Sequence, residues 1–241
     1  MTLQVVLPDP ATDPDLAVAA AAAGARCVQA CEVGLQIERV AGVLTLQLHG
    51  EASPMRVRID LAASRSGSTR RTSLIARAVG GQRGDLVFDA TAGVGGDAAE
   101  LSHLGYRVIA CERHPVLALM LREAIASTDS SIGVHGGDAS QVLPPLARLE
   151  RPRAVCLDPM FGADGVRARA RKSAQVLQHL LGPGSPEQDR ALLATAWTCA
   201  DRVVVKRPRR APPIAPGVSF TVEGKAVRFD VYLTVGRTPP P

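Results

Sequence analysis

The sequence predicts an α/β fold, with a Rossmann-like and largely parallel sheet of seven strands preceded by a small α+β subdomain. Three observations support this prediction. From residue 85 onward, short apolar strands alternate with helical segments; the last two strands have the spacing of an antiparallel hairpin; and residues 1–65 follow a different pattern. We therefore expect a subdomain over residues 1–65 and one main domain over residues 66–241.

The N-terminal part contains strand and helix patterns without the regular alternation of the rest of the chain. Two apolar runs and one alternating segment predict strands, and an alanine-rich segment that begins with aspartates predicts a helix. The predicted strands are residues 3–7, 44–48 and 55–61, and the predicted helix is 15–24. A second helix, over residues 72–79, leads into the main domain.

In the main domain, strands alternate with helices, which is typical of a parallel sheet with helices on both faces. A glycine-rich turn follows the first strand, and Pro115 suits the first turn of a helix. The predicted strands are residues 86–89, 107–111, 132–135, 154–157 and 202–206, and the predicted helices are 97–104, 115–126 and 186–199.

The end of the chain departs from this alternation. Two strands, over residues 218–222 and 227–235, are joined by Glu223, Gly224 and Lys225, which is hairpin spacing. A parallel α/β sheet closed by a hairpin is the layout of class I methyltransferases, whereas a plain dinucleotide-binding domain would continue with further strand–helix units. The predicted fold class is therefore the class I methyltransferase fold.

The composition argues against several other classes of protein. Hydrophobic residues make up 46% and charged residues 21% of the chain, as in ordinary globular proteins. No apolar run reaches membrane-spanning length, and the N-terminus lacks a basic segment followed by an apolar one. Cys27 and Cys31 have the spacing of half a metal site, but no second pair or histidine cluster completes it. We therefore expect a cytoplasmic protein with no metal and no membrane partner.

Basic residues are concentrated in three segments that contain no acid. Residues 65–83 contain five basic side chains, residues 167–172 contain four, and residues 202–210 contain five, although the net charge is only +5. Three separate clusters of this kind favour a polyanionic partner over a simple solvated surface. They do not indicate which polyanion binds.

A glycine-rich turn from Asp89 to Asp97 follows the first strand of the main domain. Gly93 and Gly95 let the backbone turn sharply and approach a ligand that a Cβ would obstruct. We expect both glycines, together with Asp89 at the end of the strand, to contact a bound cofactor. The next helix offers free N–H groups at the same place. The third glycine is Gly96, so the turn does not have the G-x-G-x-x-G spacing of a dinucleotide site.

Acidic residues follow the next two strands, where an open α/β sheet binds ligands. Glu112 lies about twenty residues beyond the turn and can accept both ribose hydroxyl protons of a nucleoside. Asp138, after Gly137, can bond an adenine amino group or cap the helix that begins at Ala139. Asp97 is open to the same two interpretations. Together these residues favour an adenosyl ligand.

The fourth strand is followed by Asp158, Pro159, Met160 and Phe161. This segment resembles the Asp/Asn-Pro-Pro-aromatic motif of methyltransferases that act on exocyclic amino groups of bases, with Met160 in place of the second proline. The lone pair of such an amino group is delocalised into the ring, so a group that accepts its N–H bonds makes the nitrogen a better nucleophile. Asp158 and the Pro159 carbonyl suit this role, and Phe161 suits stacking on a flipped base. The alternative is an Asp-Pro turn with a core phenylalanine.

Residues 70–235 as a whole resemble the ribosomal RNA small subunit methyltransferase J family. The resemblance rests on residues 89–97, 111–115, 157–161, 202–208, 211–213 and 228–232, among which Asp-Pro-Met-Phe together with Val-Val-Val-Lys-Arg-Pro is specific to the family. It implies S-adenosylmethionine (SAM) as the cofactor and methylation of N2 of one guanine near the 3′ end of 16S ribosomal RNA. The implied cofactor contacts are Gly96, Asp97, Glu112, Arg113, Gly137, Asp138 and Asp158.

The basic residues after the fifth strand lie at the same sheet edge as Asp158. We expect Lys206, Arg207, Arg209 and Arg210 to hold RNA phosphates. A contact is also expected at Arg71, which ends a basic stretch, residues 65–71, that is only loosely similar to the family.

The residues alone are also compatible with two other functions. The strand–helix–strand unit and Glu112 also suit an NAD-dependent oxidoreductase, which would leave the Asp158 motif and the arginine clusters unexplained. The second alternative is a non-catalytic RNA-binding protein. The sequence does not separate free 16S ribosomal RNA from the small ribosomal subunit as the partner, and it leaves the oligomeric state open.

Overall fold

A computed structural model of the chain describes residues 3–7, 10–28, 34–49, 55–61, 69–159, 172–182, 184–236 and 238–239. Within these ranges the strands form two separate sheets, one of five strands and one of seven.

The N-terminal sheet has the strand order β2-β1-β3-β4-β5. Its β1 pairs in parallel with both neighbours, and β3, β4 and β5 pair antiparallel. Helix α1 begins where the Asp13 carboxylate accepts the Leu16 N–H at 3.2 Å, and it packs on the main domain through α4. The elements are β1 Gln4–Val6, α1 Pro14–Ala22, β2 Arg26–Val28, β3 Gly34–Val40, β4 Val43–His49 and β5 Met55–Val57.

Two features of this sheet differ from the prediction. Strands β2 and β3 were not predicted; in β3, Leu35 and Ile37 alternate with Gln and Glu residues that are equally common in helices. The strand predicted over residues 55–61 is too long, because β4 pairs with β5 only as far as Val57. The chain then leaves the sheet, and Leu61 packs in the core of the main domain.

The seven-stranded sheet has the order β11-β12-β10-β9-β6-β7-β8. The strands from β10 to β8 pair in parallel, and the β11–β12 hairpin closes the sheet antiparallel to β10. This arrangement confirms the predicted fold class. The strands are β6 Leu86–Asp89, β7 Arg107–Glu112, β8 Ile132–Gly136, β9 Ala154–Leu157, β10 Arg202–Pro208, β11 Phe220–Glu223 and β12 Val227–Leu233.

Six helices accompany the main sheet in the described part of the chain. Of these, α6 was not predicted, and for α5 the sequence suggested only a start at Ala139. Helix α5 continues through Pro144 and Pro145, two residues that normally end a helix because each removes a backbone donor. The helices are α2 Leu74–Val79, α3 Gly96–His103, α4 Pro115–Ala126, α5 Ala139–Leu149, α6 Lys172–Leu181 and α7 Pro186–Cys199.

Helix α4 connects the two parts of the molecule. Leu121 and Ile125 pack in the core of the main sheet, whereas Val116 and Met120 pack with the apolar face of the N-terminal sheet. At the surface, Arg39 pairs with Asp13 at 2.7 Å and with Glu123 of α4 at 2.8 Å. The N-terminal sheet therefore shares a core with the main domain, and the division near residue 65 stays a prediction.

Candidate active site

Charged residues lie side by side along one edge of the main sheet. Because parallel strands end at the same edge, the strand order β10-β9-β6-β7-β8 determines the order in which these residues lie along it. From one side of the sheet to the other, they are Lys206, Asp158, Asp89, Glu112 and Asp138. Four of the five were predicted from the sequence as cofactor contacts.

A cavity of about 420 Å³ lies in front of this edge. One wall is the sheet edge with the glycine-rich turn, and the other is formed by α6 and the start of α7. The lining residues are Asp89, Ala90, Thr91, Ala92, Gly93, Val94, Gly96, Asp97, Glu112, Arg113, Asp138, Ala139, Ser140, Asp158, Pro159, Leu177, Leu181, Gly184, Ser185, Gln188, Asp189, Ala191, Leu192 and Lys206.

Two glycines of the glycine-rich turn have positive φ, and they have different roles. Gly93 (φ 54°) lines the cavity, and a Cβ built on it would meet only the Thr91 carbonyl oxygen, at 4.0 Å. Gly95 (φ 78°) was predicted to admit a ligand, but it does not line the cavity. Its Cβ would lie 2.5 Å from Leu121 Cδ1. Close packing onto α4 is therefore the reason for glycine at this position.

Glu112 joins the turn to the next strand. Its side chain is buried, and its two oxygens accept N–H groups from Gly93 at 2.8 Å and His114 at 2.7 Å. Burial raises the pKa of Glu112 above its ordinary value, against the opposing effect of these N–H donors. Arg113 also lines the cavity, and its Nη1 donates to Gln188 Oε1 at 3.4 Å.

Asp138 combines the two roles that the sequence left open. Its Oδ1 caps α5 by accepting the N–H of Ser140 at 2.8 Å and the Ser140 hydroxyl at 2.7 Å, and its side chain also lines the cavity. Gly137 does not line this cavity. It borders a second one, between α1 and α4, and its N–H donates to the Glu112 carbonyl at 2.9 Å.

The alternative role of Asp97 as a helix cap is wrong. Gly95 is the N-cap of α3 and provides no side-chain bond. Lys206 Nζ instead donates to both carboxylate oxygens of Asp97, at 2.9 and 3.1 Å. The same ammonium lies 3.0 Å from Asp158 Oδ2.

The carboxylates around Lys206 perturb one another. Burial, followed by the charge of Asp97, raises the pKa of Asp89 to about 7. Burial also raises the pKa of Asp158, although Lys206 opposes the change. For Lys206, burial lowers the pKa, but the charges of Asp158 and Asp97 outweigh it and hold that pKa above its ordinary value.

Thr91 ties two strand ends together, a role that the sequence did not suggest. Its hydroxyl accepts the N–H of Asp158 at 2.6 Å, and its own N–H donates to Asp89 Oδ1 at 3.2 Å. The Asp158 side chain keeps 37% of its surface exposed, and Pro159 is buried where it lines the cavity. Met160 and Phe161 lie outside the described residues.

The structure separates the predicted RNA contacts into two groups. Arg71, Arg209 and Arg210 are exposed, and Arg209 makes only a 3.4 Å surface pair with Glu223. Arg207 is partly buried and donates from Nε to a backbone carbonyl. Lys206 differs from them, because its ammonium contacts the cavity carboxylates of Asp97 and Asp158, and its contact with an RNA phosphate stays a prediction.

Other members of the basic clusters support the fold. Arg70 donates to the Tyr106 hydroxyl at 2.9 Å and lies over the Tyr106 ring. Arg202 Nη1 donates to the carbonyls of Ala78 and Val79 at the end of α2. Residues 167–171 lie outside the described residues.

The described ranges contain neither a membrane-spanning helix nor a cluster of metal ligands. No helix in these ranges has the length and apolar character needed to span a membrane. In the same part of the chain, no three His, Cys, Asp or Glu side chains are grouped as metal ligands would be.

The charge of the cavity suits a cationic ligand. Asp89, Asp97 and Asp158 place three carboxylates around a single ammonium group, so the Coulomb interaction favours a positive ligand. SAM fits this description, because it carries a sulfonium and an ammonium group. The pyrophosphate of a dinucleotide would be repelled at the same turn. The electrostatics therefore disfavour the NAD-dependent alternative.

Comparison with known proteins defines the class of enzyme. A sequence model of the family described as "Putative SAM-dependent methyltransferase" matches residues 20–234. A crystal structure of a SAM-dependent methyltransferase from Neisseria gonorrhoeae has a TM-score of 0.71 and 31% sequence identity, covering 98% of this chain and 97% of that one. The chain is a SAM-dependent methyltransferase, and its cofactor is SAM.

Curated relatives define the family more narrowly. A ribosomal RNA small subunit methyltransferase J from Alkalilimnicola ehrlichii is 40% identical over 207 residues, covering 78% of this chain and 78% of the relative. One of the same name from Neisseria meningitidis serogroup B is 37% identical over 211 residues, covering 80% and 82%. The chain belongs to the ribosomal RNA small subunit methyltransferase J family.

Proposed function

We propose that this enzyme transfers a methyl group from SAM to the exocyclic N2 of a guanine in 16S ribosomal RNA, either free or assembled in the small subunit. The names of its relatives support small-subunit ribosomal RNA as the substrate. The observation that carries the proposal is that Asp158 and Pro159 line the same cavity as Gly93 and Glu112. An acceptor for an amino group and a site for an adenosyl cofactor are thereby adjacent.

The cofactor supplies an electrophilic methyl group, and the residues of the chain hold and orient it. Glu112 is suited to the ribose hydroxyls, since its oxygens are already fixed by two backbone N–H groups. Asp138 is suited to the adenine amino group. Asp89 and Asp97 offer negative charge to the sulfonium and amino groups, and Gly93 leaves space for the ligand.

Asp158 acts on the substrate amine. Its carboxylate and the Pro159 carbonyl accept N–H bonds from N2, which directs the nitrogen lone pair towards the methyl group. As the new N–C bond forms and the methyl–sulfur bond breaks, one proton leaves N2 for the Asp158 carboxylate and then passes to solvent. The partial exposure of Asp158, 37% of its side chain, suits a group that must meet a second substrate.

RNA binding is assigned to the exposed arginines outside the cavity. Arg71, Arg209 and Arg210 are exposed and can approach phosphates, and Arg209 also forms a 3.4 Å pair with Glu223. Arg207 directly follows the cavity-lining Lys206 in β10. A ribosomal RNA substrate also implies a cytoplasmic enzyme, which is the compartment expected from the sequence.

Methyl transfer to unmodified 16S ribosomal RNA tests the proposal. The enzyme is incubated with methyl-labelled SAM and the RNA, or with subunits that lack the modification, and the labelled nucleotide is mapped by mass spectrometry. We expect a single N2-methylguanine. Asp158→Ala should bind RNA normally but transfer no methyl group, and Asp129→Ala, at an exposed carboxylate far from the cavity, is the matched control.

Two results would overturn the proposal. A label on another base or another guanine atom would refute the assigned chemistry. A wild-type enzyme that binds RNA without transferring any label would instead support a non-catalytic RNA-binding protein. Thermal stabilisation by S-adenosylhomocysteine but not by NAD provides an independent check of the cofactor.

A further inference from the structure

Lys206 lines the cavity, and its surroundings are unusual for a residue in a basic segment. Its side chain is only 25% exposed. Three carboxylate oxygens lie within 3.1 Å of its ammonium group, two from Asp97 and one from Asp158. An ammonium has three donors, and all three are directed at these carboxylates. An RNA phosphate would have to displace one of them.

The fold sets this position through the register of two neighbouring strands. Val205 of β10 is paired with Leu157 of β9, so the next residue of each strand, Lys206 and Asp158, are also neighbours. The first turn of α3 then brings Asp97 to the opposite side of the ammonium. A residue from each of three separate elements thus meets at one point.

The ammonium opposes a strong accumulation of negative charge. Asp97 from α3 and Asp89 from β6 face the same region, as does the buried thiol of Cys156 from β9. Arg207, the next residue of β10, adds positive charge from further along the strand. Like charges that share a site cannot all stay ionised without a counter-charge, and Lys206 is the cation that contacts two of the carboxylates directly.

We infer that Lys206 is a positioning residue for methyl transfer, which holds the carboxylates of Asp97 and Asp158 at a fixed spacing and keeps Asp158 ionised. The inference rests on the proposed function, in which ionised Asp158 accepts a proton from the substrate amine. A protonated Asp158 could still accept an N–H bond through its carbonyl oxygen, but it could not take the proton that leaves N2. Lys206 therefore acts through Asp158 and has no need to touch the RNA.

Removal of the ammonium should change the ionisation of Asp158 more than its position. Burial already raises the pKa of Asp158, and Lys206 is the first of the groups that oppose this. Without Lys206 the pKa of Asp158 should rise further, because the burial of the carboxyl would no longer be opposed by the adjacent ammonium. The acid limb of the pH–rate profile should move upward by the same amount.

The test uses Lys206→Met, Lys206→Arg and the surface control Lys225→Met, which changes an exposed lysine in the hairpin turn. The Asp158 carboxyl carbon is titrated by ¹³C NMR in the ligand-free enzyme, and the pH dependence of kcat is measured with RNA. For Lys206→Met we expect both midpoints to rise, with kcat at least about tenfold lower at pH values below the new midpoint and recovered above it. Lys206→Arg should stay close to wild type, and Lys225→Met should match it.

Different failures point to different errors. If kcat of Lys206→Met falls equally at every pH while Asp158 titrates as in the wild type, Lys206 is only structural and the inference is overturned. If RNA binding weakens and its salt dependence flattens instead, Lys206 is a phosphate ligand and the inference is again overturned. A wild-type enzyme inactive on RNA would overturn the proposed function, and the NMR titration would still decide whether Lys206 sets the ionisation of Asp158. If Lys206→Met does not fold, Lys206→Gln is the second neutral variant for the same comparison.

Discussion

Alanine substitutions at Gly93 and Gly95 should separate the two functions of the glycine-rich turn. Both residues have positive φ, 54° and 78°, so each alanine costs about 1–2 kcal/mol of conformational strain. At Gly95 the new methyl group would also lie 2.5 Å from Leu121 Cδ1 and 3.3 Å from Leu61 Cδ2. Overpacking of this kind costs a further 1–3 kcal/mol, roughly. We expect Gly95→Ala to lower the free energy of unfolding by about 2–5 kcal/mol.

Gly93→Ala should show the opposite balance. Its methyl group would meet protein only at 4.0 Å and would project into the cavity, so the loss of stability is limited to the strain of about 1–2 kcal/mol. Affinity for S-adenosylhomocysteine should fall by an order of magnitude or more, because the added methyl occupies space that the ligand needs.

Urea unfolding and titration calorimetry measure the two quantities. Gly84→Ala is the matched control, because φ is 86° and a Cβ there would meet nothing within 4 Å. The difference between Gly95→Ala and Gly84→Ala isolates the packing cost. Equal losses of stability at 93 and 95, together with unchanged ligand affinity for Gly93→Ala, would refute this division of roles.

The charges described above lead to four further predictions. The folded-state pKa of Asp89, about 7, exceeds its ordinary value of 3.8, so its contribution to stability is present at acid pH and is lost as the pH rises to 7. Between pH 5 and 8, urea unfolding of the ligand-free enzyme should show about 2–3 kcal/mol of this loss, and Asp89→Asn should abolish it. Binding of cationic SAM should lower the pKa of Asp89 and release a proton near pH 7, which calorimetry in buffers of different ionisation enthalpy detects; no buffer dependence would contradict this. The double variant Arg209→Ala/Arg210→Ala should weaken RNA binding and reduce its salt slope by about 1–2 without changing SAM affinity, and a fall in SAM affinity would instead mark these arginines as structural. Arg39→Ala should lower the free energy of unfolding by about 1 kcal/mol, because solvent screens both of its ion pairs, and a loss several times larger would mean that the pairs hold the N-terminal sheet in place.

The main sheet was predictable because its strands are short apolar runs bounded by turn residues. Leu86–Asp89 and Ala154–Leu157 were predicted to the residue, since each is a mostly apolar run followed by a turn that is rich in glycine or contains proline. The acids after the strands were predictable for the same reason, because carboxyl ends of parallel strands share one edge.

The contacts of Lys206 were not predicted from the sequence. Three arginines, Arg207, Arg209 and Arg210, follow it closely in the sequence, and a basic cluster indicates a polyanion. The position beside Asp158 depends on β10 being next to β9, which is a property of the sheet order and not of the local sequence. Combined with the predicted fold class, the matching strand ends Leu157-Asp158 and Val205-Lys206 were a signal that could have identified the pair.

Other parts of the site depend on contacts between distant segments. Gln188 and Asp189 line the cavity because the start of α7 faces the sheet edge. The helix itself was predicted, but its pattern does not specify which cavity its first turn covers. In the sequence, Thr91 likewise resembles an ordinary turn residue. Its role depends on the fold, which places β6 next to β9 so that the Thr91 hydroxyl accepts the Asp158 N–H.

Helix α4 is apolar around most of its circumference, because it is covered by protein on both sides. It begins directly after Glu112, Arg113 and His114, so a shift of the helix would be transmitted to the Glu112 carboxylate in the cavity wall. A shortened enzyme that began at the main domain would leave Val116 and Met120 in water, and would be expected to aggregate and to bind SAM poorly. The described N-terminal strands contribute no residue to the cavity wall. Substitutions in them are nevertheless constrained, because a change that shifted α4 would distort the cofactor site.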